Sequence, residues 1–343
     1  MAARERAQRW LQNIWYGAVA APLALRALAR VYGTVTRART AAYRARVLRS
    51  HGSGRPLIVV GNLTVGGSGK TPLVIWVCEQ LRGLGMRPGV VLRGYGGSAG
   101  RAGAPRRVDG SCDASVVGDE ALLLSQRLSL PVVVGHDRVA AAREVARAGA
   151  DVIVADDGLQ HLRLARDIEL VVIDAARGLG NGRLLPAGPL RESVSRLARV
   201  QALVLNGAAE VALPAAADRV PRFQMQLTGG ELCALEGGRR APLASLAGQR
   251  VHAVAGIGHP ERFFGLLGAA GLVVIQHPFA DHHVFRREEL AFGDSLPLLM
   301  TEKDAVKCRS LGLQAAWYLP VSAGFPEVQA VRLREMLRAA VTR

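Results

Sequence analysis

Residues 57–84 read LIVVGNLTVGGSGKTPLVIWVCEQLRGL, and this segment contains the strongest signal of the fold class. The first apolar run predicts a buried strand, the glycines predict a tight loop, and the residues behind them repeat apolar side chains at helical spacing. Such a loop binds phosphate through backbone N–H groups, while its lysine reaches the terminal phosphate oxygens and its hydroxyl ligates Mg²⁺. The predicted phosphate-binding residues, called the P-loop below, are Thr64, Val65, Gly66, Gly67, Ser68, Gly69, Lys70 and Thr71.

The P-loop departs from the usual pattern, G-x-x-x-x-G-K-[ST], at one place. Thr64 stands where that pattern has its first glycine. A glycine-rich turn that binds no nucleotide is the alternative interpretation. The strand, the Lys70-Thr71 pair and the amphipathic helix all agree with phosphate binding, so we prefer that interpretation.

The composition is that of a folded protein with room for about two domains. The chain has 343 residues, of which 50% are hydrophobic and 21% charged. Its four cysteines are scattered, with no C-x-x-C pair and no histidine cluster beside them. This pattern favours a reducing compartment and argues against a structural zinc site.

The net charge of +16 is concentrated at the amino terminus. Residues 1–56 contain eleven arginines and a single acidic residue, Glu5. Within them the uncharged run IWYGAVAAPLAL, residues 14–25, is shorter than the about 20 apolar residues of a spanning helix. A signal peptide fits poorly, because the basic stretch continues to Arg49. We therefore predict a helix on an anionic membrane surface; an ordinary packed helix and a nucleic-acid-binding arm are the alternatives.

The rest of the chain alternates short Val- and Ile-rich runs with helical patterns. This alternation predicts an α/β fold: a P-loop NTPase-like domain with a mostly parallel sheet, a second, smaller α/β domain and the N-terminal membrane-surface helix. Two alternating runs hinged at Gly229-Gly230 predict a hairpin. The predicted segments are the membrane-associating segment 1–50, the P-loop domain 51–221, the hairpin connector 222–243, the smaller domain 244–326 and a closing helix 327–343.

Carboxylates lie at the end of one predicted strand and at the start of one predicted helix. Asp156 and Asp157 follow a hydrophobic strand, where P-loop proteins hold a carboxylate for Mg²⁺; capping of the next turn is the alternative. Asp119 and Glu120 open a helix, and Asp119 either caps that helix or acts as a base for an acceptor hydroxyl. His282 could orient such a base from the second domain.

Three arginines at loop or element ends could bind a substrate phosphate, although each could equally be a solvated surface residue. They are Arg93, Arg138 and Arg191. A guanine-specific site would need [NT]-K-x-D, and in TEKD, residues 301–304, the lysine stands one place late. Adenine is therefore the preferred nucleotide base.

An ordered set of motifs resembles one family over nearly the whole chain, the tetraacyldisaccharide 4'-kinase or lipid A 4'-kinase family. The motifs are GNLTVGGSGKTP (61–72), LRGYGG (92–97), GDE (118–120), ADDGLQH (155–161), LLPAGPLRE (184–192), GIGHPERFF (256–264), DHH (281–283) and MTEKDAVK (300–307). The resemblance implies ATP-dependent phosphorylation of the 4'-hydroxyl of tetraacyldisaccharide 1-phosphate. It also implies a peripheral or monotopic position on the cytoplasmic face of the inner membrane, with no nucleic acid and no obligate protein partner.

The resemblance also implies roles for individual residues. Lys70, Asp119 and His282 are expected to be catalytic, with Asp119 as the base and His282 as its partner. Arg138 is expected to hold the 1-phosphate of the lipid. The remaining residues form two groups: Thr71, Asp156, Asp157 and Glu120 around Mg²⁺, and Arg93, Tyr95, His161 and Arg191 on the substrate side.

The leading hypothesis is thus a lipid-sugar kinase. The alternative is a membrane-recruited P-loop ATPase switch, which hydrolyses ATP without an acceptor. Such a switch has no need for the acceptor-side set of Asp119, His282 and Arg138, so the sequence favours the kinase.

Overall fold

The structure is a computed structural model, and it describes residues 2–99 and 103–342. Its strands are β1 (Leu57–Gly61), β2 (Pro88–Leu92), β3 (Arg106–Val108), β4 (Val132–Val134), β5 (Val152–Asp156), β6 (Ile168–Asp174), β7 (Ala202–Asn206), β8 (Arg222–Thr228), β9 (Glu231–Ala234), β10 (Arg240–Pro242), β11 (Arg250–Ala255), β12 (Val273–Pro278), β13 (Leu298–Thr301), β14 (Ala316–Leu319) and β15 (Ser322–Gly324). Its helices are α1 (Ala2–Tyr16), α2 (Leu23–Arg44), α3 (Lys70–Gly83), α4 (Ala114–Val117), α5 (Asp119–Leu128), α6 (Arg138–Arg147), α7 (Pro260–Ala269), α8 (Glu302–Cys308) and α9 (Glu327–Val341).

The large sheet has nine strands in the order β15-β8-β7-β6-β1-β5-β2-β4-β3. All neighbouring pairs are parallel except the two at the edges, where β3 and β15 run antiparallel to their partners. β1 lies between β5 and β6, and all five of its residues are buried. Apolar cores cover both faces of this sheet, as expected for a helix-covered parallel sheet. The predicted α/β class is confirmed.

The small sheet has six strands in the order β10-β9-β14-β13-β11-β12. Its four strands from β14 to β12 are parallel, while β9 and β10 add antiparallel pairs at one side. Phe263, Phe264 and Leu267 of α7 pack against β11 in one apolar cluster. The second α/β unit predicted from the sequence is therefore present.

Strand pairing differs from the prediction at residues 222–243, where the expected hairpin between the two alternating runs is wrong. β8 pairs with β7 and β15 in the large sheet, whereas β9 pairs with β14 and β10 in the small sheet. Gly229 and Gly230 therefore join two sheets. The sequence did not reveal this because alternation reports one buried face of a strand but not the identity of its neighbour.

The carboxyl-terminal part of the chain returns to the large sheet. β15 pairs with β8, although the sequence placed residues 322–324 in the smaller domain. The ring of Phe325 packs against Trp76 of α3 at 4.7 Å between centroids, and Leu333 and Leu337 of α9 are buried in the same core. The predicted closing helix thus covers the P-loop unit. The other predicted boundaries stay predictions.

The amino-terminal segment forms two helices, α1 and α2, where the sequence predicted one. The uncharged run of residues 14–25 contains the break, since Pro22 directly precedes α2 and its fixed φ suits the start of a helix. Ile14 is fully buried, and the indole Nε1 of Trp15 donates to the carbonyl of Pro186 at 3.0 Å. Among the described residues, none of the helices has the length and apolar character needed to cross a membrane.

Candidate active site

The P-loop joins β1 to α3. Its last glycine, Gly69, has a backbone conformation and surroundings that do not suit a residue with a Cβ. Gly69 has a φ of +90°, and a Cβ added there would lie 2.2 Å from Nδ2 of Asn206. Asn206 ends β7 and donates that same amide nitrogen to the carbonyl of Ser68 at 2.9 Å. Thr64, the departure from the usual pattern, lies outside the positive-φ region and bridges to Leu190 instead. Threonine is therefore accommodated where glycine is usual.

Lys70 is the first residue of α3 and points at polar groups of the loop. Its Nζ donates to Oδ1 of Asn62 at 3.2 Å and lies 3.7 Å from Oδ1 of Asp157. The P-loop lysine thus already faces the carboxylates that follow β5. Thr71 comes next in the first turn of the same helix.

Asp156 and Asp157 are neighbours in sequence but differ in environment. Nη1 of Arg191 lies 2.9 Å from both carboxylate oxygens of Asp157. Burial would raise the pKa of Asp157, but Lys70 and Arg191 outweigh it and lower that pKa to about 2. Asp156 is buried, and its Oδ1 has no hydrogen-bond partner among the described residues. Burial and the negative charge of Glu120 raise the pKa of Asp156.

A buried carboxylate oxygen without a partner is a place for a cation, because an isolated buried charge is unfavourable. Within the described residues, no three acidic, cysteine or histidine side chains could hold a metal ion by themselves. Mg²⁺ is usually bound through one or two carboxylates together with substrate phosphates and water, so the partner-less oxygen of Asp156 suits this ion. The predicted set around Asp156 therefore fits this ion.

Asp119 and His282 form a pair, called the dyad below, that joins the two α/β units. Nδ1 of His282 lies 2.9 Å from Oδ2 and 3.1 Å from Oδ1 of Asp119, the first residue of α5. Burial raises the pKa of Asp119, but the hydrogen bond with His282 and the charge of Lys303 outweigh it and lower that pKa. For His282 burial lowers the pKa, while the bond to Asp119 leaves it above its usual value. The ring of Tyr95 packs on His282 at 5.0 Å.

Two lysines of α8 surround the dyad, and sequence reasoning missed both. Nζ of Lys303 lies 4.0 Å from Oδ2 of Asp119, and Nζ of Lys307 lies 4.0 Å from the same oxygen. Lys303 also donates to Glu120 at 3.1 Å and to Asp281 at 3.3 Å. Both lysines lie in the MTEKDAVK motif of residues 300–307, and that motif was the available signal.

A basic group lies at the start of α6. Arg138 is buried, and its Nη1 has no hydrogen-bond partner in the described part of the chain. Burial lowers its pKa to about 10, while Asp156 and Asp157 act in the opposite direction. Burial and the charges of Arg138 and Arg93 lower the pKa of His161 to about 4. The charges of Arg93 and Arg138 therefore both act on His161.

The opposite side of the P-loop carries a second polar group that the sequence analysis did not assign. Nη2 of Arg262 donates to the carbonyl of Asn206 at 2.7 Å and lies 3.1 Å from Oδ1 of Asp174. A Cβ added to Gly258 would lie 2.8 Å from the backbone nitrogen of Gly67. The GIGHPERFF motif thus packs the second unit directly against the P-loop.

Comparisons with known proteins agree over nearly the whole chain. Residues 21–342 match the sequence model of the family described as Tetraacyldisaccharide-1-P 4'-kinase. A Tetraacyldisaccharide 4'-kinase from Alkalilimnicola ehrlichii is 51% identical over 320 residues, 93% of this chain and 92% of the relative. Another from Xanthomonas campestris pv. campestris (strain 8004) is 46% identical over 338 residues, 96% of each chain. The crystal structure of the "apo" form of LpxK from Aquifex aeolicus in complex with ATP superposes with a TM-score of 0.75 at 26% identity, covering 92% of this chain and 97% of that chain.

Proposed function

Since the chain belongs to the tetraacyldisaccharide-1-P 4'-kinase family, we propose that it transfers the γ-phosphate of ATP to the 4'-hydroxyl of tetraacyldisaccharide 1-phosphate in lipid A biosynthesis. The observation that carries this proposal is the dyad. Asp119, at the start of α5, and His282, from the second unit, meet at 2.9 Å. A hydrolytic switch would not require this acceptor-side pair.

The P-loop holds the triphosphate in this proposal. Backbone N–H groups around Gly67 and Gly69 bind phosphate oxygens, and Lys70 leaves Asn62 to neutralise the γ-phosphate. Most of the catalysis of phosphoryl transfer is positioning and charge neutralisation. We therefore expect the loop to be rigid before ATP binds. The hydrogen bond from Asn206 to the carbonyl of Ser68 would hold it in place.

The dyad receives the proton of the acceptor. As the 4'-oxygen forms its bond to the γ-phosphorus, the bond from phosphorus to the bridging oxygen breaks and ADP leaves. The hydroxyl proton passes to Asp119, whose negative charge is held by His282.

Thr71, Asp156 and Asp157 would hold Mg²⁺, with Glu120 nearby. When bound, this ion would neutralise the charge that develops on the phosphate oxygens. Arg191 orients Asp157 through its contact at 2.9 Å, and this engagement favours a positioning role for Arg191 rather than the substrate-binding role expected from the sequence.

The substrate 1-phosphate would be bound by Arg138, with Arg93 and His161 beside it. The support is the buried guanidinium of Arg138, whose Nη1 lacks a partner among the described residues. A phosphate would supply two or more charge-assisted hydrogen bonds there. Tyr95, largely exposed and packed on His282, lies where the sugar would approach the dyad.

The α2 helix is the proposed attachment to the cytoplasmic face of the inner membrane. One side of it packs on the protein, where Ala29 and Gly33 are buried and Tyr32 donates to the carbonyl of Arg191 at 2.9 Å. The other side exposes an apolar stripe at three- and four-residue spacing. This stripe consists of Ala24, Leu28, Val31, Val35 and Ala38.

An exposed apolar stripe on an arginine-rich helix supplies the two contributions that reversible membrane binding needs, which are apolar insertion and electrostatic attraction. Apolar side chains enter the acyl boundary, and basic side chains attract anionic lipids. The arginines of α2 are Arg26, Arg30, Arg37, Arg39 and Arg44. Membrane attachment would bring the active site to a lipid acceptor.

The test is direct. Purified protein is incubated with ATP, Mg²⁺ and tetraacyldisaccharide 1-phosphate, and the lipid is analysed for a new phosphate at the 4' position. Phosphorylated lipid in the wild type and none with Lys70→Ala supports the kinase. Release of ADP at the same rate with and without the lipid, and no phosphorylated lipid, would instead support the membrane-recruited ATPase switch.

A further inference from the structure

Lys303 connects the two chain segments that carry the dyad. Its Nζ lies 3.1 Å from Oε1 of Glu120 and 3.3 Å from Oδ1 of Asp281. Glu120 directly follows Asp119, and Asp281 directly precedes His282. The bridge from Glu120 through Lys303 to Asp281 therefore runs beside the contact between Asp119 and His282.

Without Lys303, the contact between Asp119 and His282 would be the connection that sets the orientation of the two segments. Two segments joined only through the imidazole and the carboxylate can turn about that contact. His282 also has a φ of +61°, which is unfavourable for a side chain with a Cβ and needs support from its surroundings. The Lys303 bridge fixes the residue before His282 and the residue after Asp119, so it restricts both segments.

We propose that Lys303 is a positioning residue for phosphoryl transfer: it holds the segments of Asp119 and His282 in the orientation in which the dyad accepts the proton of the acceptor hydroxyl. This inference rests on the proposed function of the dyad. Lys303 itself contacts neither the acceptor nor the phosphates in this account. It holds the two segments through Glu120 and Asp281, and its Nζ also lies 4.0 Å from Oδ2 of Asp119 itself.

A purely structural role is the competing explanation, because Lys303 also joins α8 to α5. The chain offers a matched control for that role. Nη1 of Arg127 in α5 lies 2.7 Å from Oε2 of Glu302 in α8, and both side chains are as well buried as Lys303. This second ion pair joins the same two helices without touching the dyad or its neighbours.

The experiment measures kcat and the KM values for ATP and for the lipid acceptor in Lys303→Met, Lys303→Arg and Arg127→Met, and in Lys303→Met combined with Asp119→Asn. Thermal midpoints and ATP dissociation constants establish that each variant is folded. We expect Lys303→Met to lower kcat by about 10-fold to 100-fold, the range produced by a misplacement near 1 Å, with little change in the KM for ATP. Lys303→Arg should recover part of the loss, and Arg127→Met should change kcat by less than about twofold.

The combined variant discriminates most sharply. If Lys303 acts through the dyad, Lys303→Met has little further effect once Asp119→Asn has removed the base, because residues that act as one unit are not additive. An unchanged kcat in Lys303→Met, an equal loss in Arg127→Met, or the same factor in the Asp119→Asn background would overturn the positioning role. These outcomes leave the kinase assignment intact, whereas absence of lipid phosphorylation by the wild type would overturn both.

Discussion

Nη1 of Arg191 lies 2.9 Å from both carboxylate oxygens of Asp157, and this contact joins the long loop of residues 176–192 to the end of β5. The side chain of Arg191 is 25% exposed and that of Asp157 is 36% exposed. We therefore expect Arg191→Ala to reduce the free energy of unfolding by about 1–2 kcal/mol, less than for a fully buried pair. Urea denaturation measures this loss.

The control for that prediction is Arg222→Ala, because Arg222 pairs with Asp218 at 3.4 Å on the open surface. Exposed pairs contribute little, so the loss should stay below about 0.5 kcal/mol. If both variants lose the same free energy of unfolding, the contact with Asp157 stabilises the fold no more than an exposed ion pair does.

Gly69→Ala should destabilise the P-loop by more than the strain of alanine at a positive φ alone. Gly69 and Gly85 have similar φ values of +90° and +81°, so alanine is strained at both. A Cβ at Gly69 meets Asn206, whereas nothing lies within 4 Å of one at Gly85. Gly85→Ala should cost about 1–2 kcal/mol and leave ATP binding unchanged, while Gly69→Ala should cost more and weaken ATP binding. Isothermal titration with ATP and thermal unfolding of both variants check this, and equal ATP affinities would contradict it.

A charge on the apolar stripe of α2 should weaken membrane binding. Val31→Asp combined with Val35→Asp removes two exposed apolar side chains from the face that would enter the lipid. Each is worth about 1.5 kcal/mol or more when buried, so co-sedimentation with anionic vesicles should fall by at least about tenfold. The dissociation constant for ATP should not change.

Val328→Asp provides the comparison, since Val328 is equally exposed in the first turn of α9, on another part of the protein. Vesicle binding should be unaffected by it. If the α2 double variant still co-sediments like the wild type, the membrane contact lies elsewhere on the molecule.

Asp137 caps the helix that begins with Arg138. Its carboxylate accepts from the backbone nitrogens of Val139 at 3.0 Å and Ala140 at 3.2 Å. Asp137→Ala should cost about 1 kcal/mol, and Asp137→Asn, which keeps an acceptor, should cost less. The same variants should raise the KM for the lipid acceptor in the same order, because the cap fixes the first turn that carries Arg138.

This cap also has a defined pH dependence. Burial raises the pKa of Asp137, but the hydrogen bonds from Ala140 and Val139 and the charge of Arg163 lower it overall. A carboxylate with a lowered folded-state pKa stabilises the fold fully above its unfolded pKa of about 3.9 and loses that contribution as the pH falls through the folded value. The stability difference between wild type and Asp137→Ala should thus be constant from neutral pH down to about pH 5 and shrink below about pH 4. A difference that persists below that range would contradict the assignment.

The sequence was sufficient for the features that depend on local pattern. The P-loop, the strand ends at Asp156 and the helix start at Asp119 follow from periodicity and from the residues that begin and end elements. Strand neighbours were not accessible in this way, which is why β8 and β9 were predicted to pair with each other. Pairing depends on contacts between distant segments.

In the candidate site, too, some residues could be predicted from the sequence and others could be identified only from contacts between distant segments. Asp119 and His282 were expected to act together because the family resemblance implied a role for each, whereas Lys303 had a motif but no implied role and Asn206 lay in no motif; the packing of α8 and β7 shows where both lie. A lysine on a short helix and an asparagine at a strand end are common surface residues.

A double-mutant cycle on kcat measures whether Asp119 and His282 act as one base. Asp119→Asn should lower kcat by about 100-fold or more, His282→Ala should also lower it, and the double variant should be little worse than the poorer single variant. The dissociation constant for ATP should stay nearly constant in all four proteins. If Asp119 only caps α5 and His282 is only a loop residue, the effects on kcat will be small or will multiply, and that result would contradict the account.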